Sequence, residues 1–133
     1  MSVDLVLLRY PKSGRGEDVN VIHSLHLNRF IVFEETEIHK LFKTKTVYED
    51  GEEMEIFILP REAYLDAIRI CENQIIEYCK FLSDILHHSK NVIDEYLGRI
   101  NLVSGIRAMI LSVIKIYDGS DPNDDEIMIE LSY

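Results

Sequence analysis

The most regular pattern in the chain lies in its middle, where Leu65, Ile68, Cys71, Ile75, Cys79, Leu82 and Leu86 recur at steps of three and four. A recurrence near 3.6 residues gathers such side chains along one side of an α-helix. Pro60, Arg61 and Glu62 supply a start, so the spacing predicts a helix over 62–88, about seven turns. A second stripe, Val103, Ile106, Ile110, Val113 and Ile114, predicts a helix over 102–117. Gly119, Asp121, Pro122 and Asn123 break it. Between the two, Ser89 has the short acceptor side chain of an N-cap and opens a turn or short helix closing near Gly98.

Outside this region the pattern changes period. Residues 3–10 are rich in β-branched and long apolar side chains, as suits a strand buried on both faces or nearly so, and Pro11 ends it. At the other end, Ile127, Ile129 and Leu131 alternate with Met128, Glu130 and Ser132, which predicts a half-buried strand over 126–133. A polar turn at Glu49, Asp50, Gly51 and Glu52 precedes a strand over 54–59. The stretch from Val19 to Phe33 fits two periods. Leu25, Leu27, Phe30, Ile31, Val32 and Phe33 suit a strand, whereas Ile22, Leu25 and His26 have helical spacing; the reading taken is a strand over 28–33. Residues 34–43 read as a short helix, with acids first, lysines last, and Ile38, Leu41 and Phe42 on one face. The sum is an α+β fold: a small antiparallel or mixed sheet of about four strands packed against two long helices and one short helix, in a single domain over 1–133.

Composition changes that picture little, and charge changes it more. A chain of 133 residues, 47% hydrophobic and 29% charged, can build a core without disulfides or a structural metal. Twenty-four acids against fourteen Lys and Arg give a formal net charge of -10. Phosphate backbones are bound by cations that displace counterions, so direct nucleic-acid binding is not expected, and an anionic membrane would be repelled. Cys71 and Cys79 lie eight residues apart in the helical pattern. That is about 12 Å of helix, too far for a disulfide, and both read as small buried hydrophobes of a reducing compartment. No signal peptide is read, and Arg107 and Lys115 interrupt the longest apolar stretch, so a cytoplasmic location is expected.

The charge is also uneven. Residues 118–130 hold six acids and no Lys or Arg, with Asp121, Asp124, Asp125 and Glu126 as candidate contacts for a protein partner. By contrast, residues 12–16 form a cationic loop after the first strand, and Arg9, Lys12 and Arg15 are candidate ligands for a small anion. The loop lacks the spacing of a P-loop. His23 and His26 point to opposite faces if they sit on a strand. Glu35 and His39, four apart, would share a face of the short helix. His87 and His88 fall where a helix C-terminus favours imidazolium. No nucleophile elbow, His-Glu-x-x-His, Cys-x-x-Cys or EF-hand spacing accompanies them, so no catalytic residue, metal site or cofactor is expected.

Four segments carry a resemblance. Ser2-Val3-Asp4-Leu5-Val6-Leu7 is similar to the Gly-Leu-Asp-Met-Tyr-Leu-like opening strand of a group of small phage-encoded proteins. Residues 33–42 resemble their Tyr-Trp-Arg-Lys-x-x-x-Ile-His-x-Trp-Phe-like helix, with Ile38, His39 and Phe42 matching. Asp50-Gly51-Glu52 through Pro60-Arg61-Glu62-Ala63-Tyr64-Leu65 is similar to their acidic turn, strand and Ser-Arg-Glu-x-Leu-like helix start, and the acidic, aromatic-ended last strand is similar too. The chain has no tryptophan, where those proteins pair theirs with other aromatics. The resemblance implies a phage origin, an α+β fold and no assigned activity. The expectation that follows is a non-enzymatic phage accessory protein that binds a host macromolecule in the host cytoplasm. Alternatives are a binder or hydrolase of a nucleotide-like anion at the cationic loop, and a structural subunit of a phage assembly. The generous apolar content from Leu65 to Ile116 also predicts self-association through the helices.

Overall fold

The computed structural model describes residues 2–10, 20–49, 51–84, 87–119 and 126–133. Strands β1 (Ser2–Tyr10), β2 (Asn20–Asn28), β3 (Lys43–Glu49), β4 (Glu52–Ile58) and β5 (Glu126–Ser132) form one sheet of order β2-β1-β5-β4-β3. Every pairing in it is antiparallel. Two helices, α1 (Tyr64–Leu82) and α2 (Lys90–Gly119), pack on each other, with a 3-10 turn at Arg61–Ala63 leading into α1.

The two ends of the chain meet at the centre of the sheet, where Leu5 lies opposite Leu131 and Leu7 opposite Ile129. This explains why β1 reads as apolar on successive positions. Val3, Leu5 and Leu7 face the helices and join Ile127, Ile129, Leu131, Ala67, Cys71, Val103, Ile106, Ile110 and Val113 in the main core. Leu8 is buried too, opposite Met128. Met128 belongs to a second, smaller cluster with Val47 and Ile56, against which Tyr10 and Ile58 pack.

Four expectations need correction. The sheet has five strands, because residues 43–49 form β3. Its Lys-Thr-Lys-Thr start hides it, and as an edge strand it contributes Val47 to the smaller core cluster. The second strand lies at Asn20–Asn28, before the span assigned to it. The apolar run after it folds into a π-helical turn, Ile31–Glu35, in which Ile31 and Val32 are buried. Buried Thr36 closes that turn: its N–H and its hydroxyl both donate to the Ile31 carbonyl, at 2.9 and 2.7 Å.

The third correction follows from the second. No continuous helix spans 34–43; Glu37 takes a left-handed backbone (φ 50) and a 3-10 turn follows at Ile38–Leu41. The fourth concerns the long helices. α1 stops at Leu82, with the Ser83 hydroxyl donating to the Lys80 carbonyl at 2.6 Å. Ser89 does accept from the Val92 N–H, at 3.3 Å, but the helix it caps runs on through Gly98 for 30 residues. A helical glycine costs about 1 kcal/mol. Burial of Val103, Ile106, Ile110 and Val113 on the same helix outweighs it, each worth about 1.5–3 kcal/mol.

Candidate functional site

Two places on the described residues bring functional groups together. The first is an ion-pair cluster built by the π-helical turn. Glu35 is the last residue of that turn, and its side chain reaches both helices, at Gln74 and Arg99. Arg99 Nη1 binds Glu35 Oε1, and Arg99 Nη2 binds Glu95 Oε1 at 2.7 Å. The Glu35 and Arg99 side chains are only 13% and 20% exposed, against 57% for Glu95. The Gln74 amide donates to the other Glu35 oxygen at 3.3 Å.

Aromatic rings wall the guanidinium. It lies 4.7 Å from the Tyr96 ring centre and 5.3 Å from that of Phe30. Tyr96 in turn stacks on Phe81 and meets Tyr78 edge-on. Burial alone would lower the Arg99 pKa, but the Glu95 hydrogen bond and the Glu35 charge hold it above its ordinary value. The Tyr78 hydroxyl is buried without a partner of hydrogen-bonding geometry. Burial first, then the nearby Glu35 carboxylate, raise its pKa. The arrangement clamps the turn, α1 and α2 together. One guanidinium is shared between two carboxylates, with Glu35 held inside and Glu95 at the surface.

The second place is the outward side of the helix pair. Leu97, Ser104 and Leu111 recur at seven-residue steps on α2, and Leu65, Glu72 and Ile76 share one side of α1. Leu65 is 70% exposed, Ile76 51%, Leu97 48% and Leu111 37%. Between the helices lies a hollow of about 290 Å³ lined by Glu72, Ile75, Ile76, Ser104 and Arg107. Arg107 Nε sits 3.8 Å from Glu72 Oε1. α2 is long and apolar enough to cross a membrane by length and composition alone, a test that core helices also pass. Only 28% of its most apolar stretch is buried.

The residues singled out from the sequence fall elsewhere. Arg9 is exposed near the end of β1, opposite Asn20 and Ile127. Lys12 and Arg15 lie outside the described residues, as do Asp121, Asp124 and Asp125. Glu126 opens β5 and pairs with Lys45 at 2.5 Å, which ties it to the sheet. His23 and His26 stand on β2, opposite Leu7 and Asp4, three residues apart and so on opposite faces. Asp4 takes the His26 ring at 2.6 Å. His39 does not share a helix with Glu35: its ring packs 4.6 Å from Phe33 and bonds the Val32 carbonyl at 3.2 Å.

His88 stacks on Phe81 and bonds the Phe81 carbonyl at 2.7 Å, beside the end of α1. Of the cysteines, Cys71 is buried but Cys79 is exposed, against expectation. No group of three metal-ligating side chains forms among the described residues. The Glu35–Arg99 clamp leaves no local signal in the sequence, since its partners lie 64 residues apart. The outward stripe does leave a signal in the sequence, the generous apolar content from Leu65 to Ile116. No family model matches the chain, no characterised protein matches its sequence, and no solved structure matches its fold.

Proposed function

We propose that this chain is a small non-enzymatic accessory protein that works by docking a host protein on the outward side of α1 and α2. One observation carries the reading: α2 is apolar enough by composition to cross a membrane, yet only 28% of that stretch is buried, and Leu97 and Leu111 on it are left exposed beside Leu65 and Ile76 of α1. A helix of this kind is ordinarily covered. Leu65, Ile76, Leu97 and Leu111 give four apolar anchors around a hollow, and the Glu72–Arg107 pair at its rim offers one charged contact of each sign.

Protein suits this surface better than lipid. Inserting the stripe into a bilayer would bury Glu72 and Arg107, and a net charge of -10 opposes an anionic membrane. The acids at Asp121, Asp124, Asp125 and Glu126 would steer a partner whose apolar patch has a basic rim. The resemblance to phage-encoded proteins supports a host protein as that partner.

The test compares the chain with its I76D/L111D variant in pull-downs from host lysate and in flotation with anionic vesicles. A discrete protein retained by the chain, lost by the variant and weakened by salt is the expected result. Flotation with vesicles, or capture unchanged in the variant, overturns the reading.

A further inference from the structure

The two edges of the sheet are not alike. At one edge, β3 carries Lys43 and Lys45, charged residues that discourage another strand from pairing there. At the other, β2 presents nine residues without a single Asp, Glu, Lys, Arg or Pro. Eight of the nine positions are exposed or half-exposed, and no described strand covers its outer side. Only the irregularity opposite Leu7 and Leu8 disturbs it, near its start. A long uncharged edge is a template for a further strand.

We propose that β2 pairs with β2 of a second copy of this chain, antiparallel about a two-fold axis, to make one sheet of ten strands. The choice of occupant rests on charge. A chain of net charge -10 repels itself wherever its acids meet. β2 is an acid-free stretch along which two copies can approach. A two-fold axis through Leu25 sets like face against like face. Ser24 of one copy then lies opposite His26 of the other, His23 opposite Leu27, and Leu25 opposite itself.

On the helix side, α2 packs so closely on Leu25 that a side chain at Gly105 would meet it at 3.5 Å, which holds the middle of β2 in place. This interface is separate from the docking surface above: it uses the edge of the sheet and leaves Leu65, Ile76, Leu97 and Leu111 open.

Sedimentation of the full chain tests it, alone and as the S24K/H26K variant, whose two changes fall on exposed positions. In the proposed register each new lysine faces a lysine of the other copy, twice per dimer. The chain is expected to be a dimer at micromolar concentration, and the variant's dissociation constant is expected to rise about thirtyfold. As a second readout, S24C/H26C with Cys79→Ser should cross-link into a covalent dimer under mild oxidation. A monomeric chain overturns the proposal. So does an oligomer that S24K/H26K leaves intact, and one abolished by I76D/L111D instead would place self-association on the helices.

Discussion

Replacing Arg99 with Met is the sharpest probe of what holds the helices to the sheet turn. The substitution keeps most of the stem and removes the guanidinium, so Glu35 loses its charged partner and keeps the Gln74 amide at 3.3 Å. Stranding a fully buried charge costs about 3–5 kcal/mol. Here the two side chains remain 13% and 20% exposed, so water relieves part of the penalty, leaving about 2 kcal/mol. The exposed arm to Glu95 adds about 0.4 kcal/mol. Losing the contacts with Tyr96 and Phe30 adds about 0.5 kcal/mol.

The expected loss is therefore about 3 kcal/mol, measured by urea unfolding followed by circular dichroism with an unchanged slope. The double variant R99M/E35L removes both charges together and should recover most of it, falling within about 1 kcal/mol of the parent. An R99M loss below about 0.5 kcal/mol would assign the pair the weight of an ordinary surface ion pair and refute the reasoning. So would a double variant no better than the single one.

Other outcomes follow from burial. Ile110→Ala empties a position that is 1% exposed in the main core and should cost about 2–5 kcal/mol in the same urea assay. Cys71 is buried, and that burial pushes its thiol from the ordinary 9.0 up to about 12. A thiol reagent at neutral pH should therefore label Cys79 alone in the native chain, and both cysteines after unfolding. The same shift sets a direction for stability. The Cys71 contribution is complete below pH 9, where the unfolded thiol is protonated, and is lost as pH climbs toward 12. Tyr78, also raised, acts in the same sense above pH 10. Urea midpoints that rise between pH 9 and 11 would contradict this.

What the sequence made legible depended on how many neighbours each element answers to. The middle of α1 buries one face against a single layer, so its period is clean, whereas β5 reads as half-buried although Met128 on its other face is buried in the smaller cluster. β2 and the π-helical turn blur together because Leu27, Ile31 and Val32 enter the same core from different backbone shapes. Gly98 looks like a helix end, and would be one without the packing of Val103 to Val113 beyond it. The clamp needed tertiary structure, since nothing near Glu35 in sequence announces Arg99. The outward stripe was the opposite case: its apolar residues were visible as a surplus, and only the helix pairing revealed which of them stay uncovered.

Photo-crosslinking inside host cells tests the role of that uncovered stripe most directly. A photoreactive residue placed at Leu111 is expected to capture one discrete host protein. The same residue at Val6, on the far face of the sheet, is expected to capture none. Equal capture at both positions, or lipid as the only adduct at Leu111, would contradict the claim that the outward side of α1 and α2 is where this protein does its work.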